Sequence, residues 1–533
     1  MSDPKCSEVE AQSSLTQFLV EFSCEVQCAA NANEKVDVRT AACAALARLG
    51  AGSAALDGIE ALLSYAVAGV DPKESVIDDE HQALTTAREA IRPLQQERLQ
   101  ARIDQIEATN RGDVVCPMPG CGQKVHSHGR RNRTLTGRHG NLTVNLRWLV
   151  CQNAACRHGF YAAGSAIGLQ ADRFTVGCAA AITMACTELP YGKALQLLEA
   201  LTGVEVSEHA AQDLTMKRGH DVTAMDEAAA ARHAPYDDTG LRRVSGRPAD
   251  AVDPKETPKV AYLEVDGVLP MTREEIPEQS QPVAGARGGK GLRYKLEGRE
   301  VKNAVLYRQQ DHAQEMPSRG CLLQRQYVSH LGHWAQFALL VWLAMLQCRY
   351  DKAELLVVLG DGAGWIASLA QWLPMKGRVL HILDYFHACH RTWEVARLVF
   401  GHDSDQSRTK AKWWCDLIKD GGVDLVIGEL KKLNTNNLTE AVKTKVEQLT
   451  TYFENNKQRM DYPEYIARGL RISSGIVESA NYHVTGARLK QQGMRWSEDG
   501  AKHLAALRAD LCNGDWDKRS RALLAASASR LAA

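Results

Sequence analysis

Asp266 in "AYLEVDG" and Asp361 in "LLVVLGDGAGW" each close an apolar run and are each followed by glycine. A strand that ends on a bare carboxylate loses hydration, and two such ends brought together repel one another unless a cation binds there. Mg2+ and Mn2+, hard divalent ions, take oxygen ligands of this kind. Glu264 lies two residues before Asp266, shares its strand face and competes for its role. The third acid is Glu478 in "SSGIVESANYHVTGARLK". Ser473 or Ser474 caps a helix that carries Glu478 in its first or second turn, with Asn481, Tyr482 and Thr485 following at helical spacing. Arg488, Lys490 and Arg495 then supply cations for a phosphodiester, and Trp496 suits base stacking or, as a lone Trp, the core. The plainer alternative for the acids is a pair of Asp-Gly turns and a helix-surface glutamate.

A second constellation is sulfur. Cys116 and Cys121 in "CPMPGC" are matched by Cys151 and Cys156 in "CQNAAC", and four thiolates on two tight turns suit a structural tetrahedral Zn2+. The intervening "RTLTGRHGNLTVNLRWLVC" alternates like two strands around a glycine turn, the layout of a zinc ribbon. His126, His128 and His158 are possible replacements for a cysteine ligand. From Val114 to Ala171 there is no Asp or Glu in 58 residues but there are seven Lys or Arg: Lys124, Arg130, Arg131, Arg133, Arg138, Arg147 and Arg157. Such a segment attracts DNA phosphates, although a charge run is commonly only a solvated face.

Several elements must position these groups. "LPYGKALQLLEALTGVEVSEHAAQDLTMKRG" reads as helix, glycine turn, helix, with Ser207 as cap. It resembles a helix-turn-helix whose second helix, about Ser207 to Arg218, would bring Lys217 and Arg218 to DNA; plain helix packing explains the pattern equally well. The first hundred residues suit helices, with Pro93 kinking or ending one. Strands are expected at "KVAYLEVDGVLPM", "REVKNAVLYRQQ", "ELLVVLG" and "RVLHILD", and a long apolar helix from Tyr327 to Arg349. The expected domains are a helical region (1–112), a zinc-ribbon-like module (113–160), a helical domain with the helix-turn-helix (161–245), a catalytic core in two parts (246–400 and 469–515) around a helical insertion (401–468), and a tail (516–533).

Composition sets the bounds. The 533 residues exceed a single core, and the formal net charge is zero, so global charge does not point to nucleic acid. Fifteen scattered cysteines fit a reducing compartment with one metal site. The N-terminus lacks the pattern of a signal peptide, and "WAQFALLVWLAMLQC" is too short to span a bilayer. The expectation is a cytoplasmic, nucleoid-associated protein without a membrane segment.

With "LEVDG", "LGDGAGWI", "ILDYFHACH" and "SGIVES…RLKQQGMRW" in that order, the sequence resembles the DDE transposases of bacterial insertion sequences, most closely the ISKra type. The resemblance covers roughly Cys116 to Arg508. It implies a multidomain α+β chain with a ribonuclease H-like core, Asp266 and Asp361 on strands, Glu478 on a later helix and a helical insertion before it. Asp384 and His387 have the Asp-x-x-His spacing found beside the active site in the related Mutator-like and hAT-like branch, and His390 shares that supporting position; a strand-end Asp before a helix-start His is the alternative. In a two-metal site, Asp266 would bridge both ions, Asp361 hold one and Glu478 the other. Hydrolysis at an element end would leave a 3′-hydroxyl that attacks target DNA, with no covalent protein intermediate. The expected partners are transposon ends, target DNA and at least a second copy of the chain. The rivals are a nuclease of the same fold that does not join ends and a non-catalytic, domesticated DNA-binding protein.

Overall fold

The acid-free segment folds as a hairpin. In the computed structural model, β1 (Val125–Gly137) and β2 (Gly140–Cys151) pair antiparallel around a turn at Gly137 and Gly140, and the three-residue β3 (Gly159–Tyr161) adds to the end of β2. The structure describes residues 17, 21, 38–48, 52–68, 75–109, 114–118, 120–169, 173–237, 239–242, 248–251, 258–277, 293–316, 319–434 and 436–532. Of the helical region expected over the first hundred residues, the stretch 14–30, apart from residues 17 and 21, lies outside these residues.

The described chain is a mixed α+β protein of two compact units, residues 1–186, 191–214 and 520–533 forming one and residues 187–190 and 215–519 the other. In the first unit, α1 (Val38–Arg48), α2 (Ser53–Val67) and α3 (Val76–Thr109) precede the hairpin, and α3 runs unbroken through Pro93. Because β3 covers only the end of β2, the backbone of residues 143–147 needs other partners, and α3 supplies them. Gln96 accepts the Thr143 amide at 2.8 Å, Gln100 the Asn145 amide at 2.8 Å and Glu107 the Arg147 amide at 2.8 Å. Four helical residues advance about 6 Å and two strand residues about 6.7 Å, so Gln96 and Gln100 fall in register with alternate strand amides. Ile103, Leu135, Val144, Leu146, Ala163 and Leu169 fill the space beneath. α4 (Val176–Glu188) and α5 (Tyr191–Thr202) follow. Gly203 then turns the chain at φ 62°, and Ser207 Oγ accepts the Ala210 amide at the start of α6 (Glu208–Arg232). At 25 residues, α6 is about twice the length expected of the second helix.

The second unit is built on a five-stranded sheet of order β10-β7-β4-β11-β12. β4 (Val260–Val268) leads through the β5 (Met271–Glu275) and β6 (Tyr294–Gly298) pair to β7 (Val301–Arg308), and a second pair, β8 (His312–Met316) and β9 (Arg319–Leu322), leads to β10 (Gln326–Leu331). β7 is antiparallel to both β4 and β10, whereas β11 (Leu355–Gly360) and β12 (Val379–Leu383) extend the sheet in parallel. The helix expected from Tyr327 is shorter. "QYVSHL" forms the edge strand β10, Gly332 breaks it at φ 150°, and the helix α7 spans Trp334–Gln347. Alternation then sorts each strand. Ala261, Leu263, Val265, Leu356 and Val358 face a core made with α7 and α8 (Gly364–Trp372). Tyr262, Tyr307, Val357 and Leu359 face the opposite core, formed with α9 (Tyr385–Phe400), α10 (Asp405–Lys419), α11 (Val423–Lys432), α12 (Glu440–Asn456) and α13 (Tyr462–Ala467). After these come α14 (Gly475–Ala480), a π-helical turn Asn481–Gly486, α15 (Glu498–Cys512) and α16 (Trp516–Ala532). Among the described residues, no helix is long and apolar enough to cross a membrane.

Candidate active site and metal centre

The alternation that puts Tyr262 in the core beneath the insertion also puts Glu264, Asp266, Asn303 and Asp361 on that face. β4 and β11 pair with Glu264 opposite Leu359, so two residues on, just past the end of β11, Asp361 is level with Asp266. Asp384 follows β12, where its amide donates to the Gly360 carbonyl at 2.9 Å. β11 and β12 are therefore each followed directly by an aspartate, whereas β4 runs two residues past Asp266 to Val268. Gly362 holds the turn after Asp361 at φ 89°, with Leu383 and Tyr452 so close that a Cβ would meet them at 2.8 and 3.0 Å. Asp361 Oδ1 accepts the Ala363 amide at 2.9 Å, and the Tyr452 hydroxyl of the insertion donates to the Asp361 carbonyl at 2.9 Å.

The three aspartates are used differently. Asp384 is fully buried: Oδ1 accepts the His387 amide at 2.7 Å, and Oδ2 accepts both the Ser474 amide and the Ser474 hydroxyl. It caps α9 and holds the chain entering α14. Asp266 and Asp361 are half-buried, and among the described residues neither has an ion-pair partner. Burial raises the Asp266 pKa, and the Asp361 charge raises it further against the Gly267 amide, His387 and Asn481. Asn481 Nδ2 donates to Asp266 Oδ2 at 2.6 Å, and the Asn481 oxygen accepts from Asn303 Nδ2 at 2.8 Å. Asn303 is buried and also bonds Thr485 and Ser329, which fixes the Asn481 amide with its N–H toward the acid.

Glu478 is half-exposed, with Oε1 3.3 Å from His387 Nε2. The three acids do not converge as one-ion ligands do. Among the described residues, only the four cysteines form such a group. His387 thus faces Glu478 directly and also acts on the Asp266 charge; His390 is exposed. The helical face expected beyond Glu478 is altered by the π turn: Tyr482 is exposed, whereas Thr485 is fully buried.

The cysteines are arranged for a metal. Their four sulfur atoms lie within 4.8 Å of one another, with Cys116 Sγ 3.7 Å from Cys156 Sγ and Cys121 Sγ 3.6 Å from Cys151 Sγ. A tetrahedron with Zn–S bonds of about 2.3 Å has S···S edges of about 3.8 Å, so the donor set fits zinc. The Gln123 amide lowers the Cys121 thiol to about 7, while burial raises Cys116 to about 12 and also raises Cys151. The histidines lie outside this group: the His126 and His128 rings meet at a tilt of 51°, and His158 stacks on Phe160.

Several expected DNA contacts are otherwise engaged. Arg130 pairs with Asp104 at 2.5 Å and Glu107 at 3.1 Å, so acids of α3 neutralise part of the acid-free hairpin. Arg138 donates to the Gly177 carbonyl, Arg133 lies over Tyr161, and Arg147 is half-buried. Lys124 and Arg131 are exposed, Arg131 over the Trp148 ring at 4.7 Å. Lys217 and Arg218 are half-buried, and the Arg218 guanidinium sits 4.0 Å over Trp516 and donates to its carbonyl. Arg488 is fully buried against Trp496, whose indole N–H donates to the Leu489 carbonyl. Both leave the expected DNA face because each packs as core. Lys490 and Arg495 are exposed.

The sequence profile of an uncharacterised protein family, UPF0236, matches residues 299–522, a stretch that holds Asp361 and Glu478 but begins after Asp266. A UPF0236 protein of Caldanaerobacter subterraneus subsp. tengcongensis, whose name joins eleven locus designations, is 25% identical over 279 residues, covering 50% of this chain and 50% of that protein. A second UPF0236 protein of the same organism is 26% identical over 242 residues, covering 43% of this chain and 45% of that protein. The chain spans about half the length of the curated relatives it matches. Among solved structures, the Drosophila P element transposase strand transfer complex is similar with a TM-score of 0.22 and 8% identity, over 66% of this chain and 82% of that one. A score that low carries no argument about fold or function.

Proposed function

We propose that the protein is a DDE transposase that cleaves insertion-sequence ends and joins their 3′-hydroxyls to target DNA. The observation that carries this reading is the pair Asp266 and Asp361, level with each other on one sheet face and without an ion-pair partner among the described residues, with Glu478 on a helix bonded to β4. A mixed sheet with helices on both faces and a helical insertion before the glutamate supports a ribonuclease H-like core. A relative named for eleven loci of one organism supports a mobile sequence.

Asp266, Asp361 and Glu478 would hold divalent cations, which supply Lewis-acid activation of water and neutralise charge at phosphorus. The protein's own contribution is placement. Asn481 fixes Asp266 Oδ2 and leaves Oδ1 to ligate, the Ala363 amide orients Asp361, and His387 retains Glu478 until it turns to the site. In this reading the cysteine cluster holds structural Zn2+ in a ribbon, the α5–α6 pair is the helix-turn-helix, and Lys124, Arg131, Lys490 and Arg495 contact DNA. Two ends are brought together by two or more copies of the chain.

The test is a gel assay with labelled duplexes carrying the DNA that flanks the gene, in Mg2+. Cleavage to a 3′-hydroxyl and a strand-transfer product are expected, and Asp361→Ala should lose both while still binding ends. Cleavage without joining would make it a nuclease, and binding without cleavage in Mg2+ or Mn2+ a DNA-binding protein.

A further inference from the structure

Glu264 has no part in that scheme, yet both of its oxygens are committed. Its carboxylate is fully buried on the face of β4 that carries Asp266. Oε1 accepts the Tyr307 hydroxyl at 2.5 Å, Oε2 accepts the Ile476 and Val477 amides at 3.1 and 3.0 Å, and Arg471 Nε lies 3.8 Å away. Ile476 and Val477 open the first turn of α14, where amides lack the partner four residues back; the Val477 amide also donates to the Ser474 carbonyl at 3.0 Å. Glu264 supplies an acceptor for both amides from the sheet.

β4 therefore grips the α14 segment twice, at residues 476–477 through Glu264 and at Asn481 through Asp266. Two strand residues advance about 6.7 Å, and four to five helical residues advance about 6–7.5 Å, so the two attachments are in register. One attachment leaves a helix free to rotate about it; two fix both its rotation and its travel along the strand. Glu478 lies between them. The bonds from Asp384 reach only Ser474, ahead of the helix, and leave the rotation of the first turn open.

We propose that Glu264 is a positioning residue: by holding the Ile476 and Val477 amides it sets where α14 presents Glu478 to Asp266 and Asp361. The proposal rests on the reading of Glu478 as a metal ligand. Reach, not charge, is the property that matters. Glu264→Gln keeps the reach, with its carbonyl on the two amides and its N–H2 toward the Tyr307 oxygen. Glu264→Asp keeps the charge but withdraws the acceptor by one methylene.

The experiment measures Mn2+ affinity by titration calorimetry on the full zinc-loaded chain, together with amide hydrogen exchange at residues 474–480. Glu264→Asp is expected to speed exchange at 476 and 477 and weaken Mn2+ binding about tenfold, as loss of a group that orients a ligand does, with Glu264→Gln within about threefold of wild type. The opposite order, or unchanged Mn2+ affinity in Glu264→Asp, overturns the positioning role. Asp266→Asn is the control. If wild type shows no Mn2+ binding that this substitution removes, both the metal reading and the positioning role fall; if that binding is present and only the Glu264 variants are silent, the positioning role falls alone.

Discussion

Asp361→Asn should stabilise the metal-free protein while abolishing its chemistry. The side chain keeps its shape and the oxygen that accepts the Ala363 amide, so only the charge is lost. Asp266 lies on β4 and Asp361 directly follows β11, adjacent strands about 4.8 Å apart. At that separation two unit charges repel by about 0.9 kcal/mol at the dielectric constant of water and about 3.5 kcal/mol at an effective value near 20. Half-burial places the pair between these limits, at about 1–3 kcal/mol. For a unit of this size that is a rise in melting temperature of about 2–6 °C. A cation bound at a hundred times its dissociation constant stabilises wild type by about 2.7 kcal/mol, and the variant should lose most of that gain. The assay is scanning fluorimetry in divalent-depleted buffer without chelator, so that zinc stays in the cysteine cluster, with and without Mg2+. A variant that melts below wild type without Mg2+, or still gains the full Mg2+ shift, would refute the electrostatic argument.

Cys121→Ser should lower zinc content by about one ion per chain, read by a colorimetric chelator, because it removes one of four converging thiolates. Burial raises the Glu264 carboxyl from 4.5 to about 7 in the folded chain. The folded state then binds more protons than the unfolded state between those values, so stability falls as pH rises through that window and levels off above it. Glu264→Gln should flatten this part of the curve in denaturant melts at pH 5 and pH 7, and an unchanged slope would assign it to another group such as Asp226, also raised to about 7 by burial. On the hairpin, Arg131→Ala should weaken DNA binding and reduce the salt slope by about one, whereas Arg130→Ala should do less because Asp104 and Glu107 already pair with it. Equal losses from the two substitutions, measured by anisotropy across a salt series, would contradict that distinction.

What was legible in the sequence was the part written in local patterns. The apolar run stopped by Asp-Gly marked the end of β11 at Asp361 but not that of β4, which runs on to Val268; period-two alternation placed Glu264 and Asp266 on one face, though only the fold tells the committed acid from the open one. The cysteine spacing gave a cluster that converges in space. What was not legible depends on partners distant in sequence. The acid-free hairpin reads as a bare basic patch because Asp104 and Glu107 belong to an earlier helix. Arg218 and Arg488 read as DNA contacts because nothing near them announces Trp516 or the buried site under Trp496. Asn303 did leave a signal, a lone amide inside the apolar "KNAVLY", and a buried polar group in such a run must have a partner.

The central claim is that Asp266, Asp361 and Glu478 act on the same divalent ions. Anomalous scattering from Mn2+ in crystals of the protein bound to an element end tests it most directly. The account predicts Mn2+ peaks within bonding distance of all three carboxylates, with Glu478 turned away from His387. Manganese absent from the two aspartates, or bound there while Glu478 still rests on His387, would contradict it.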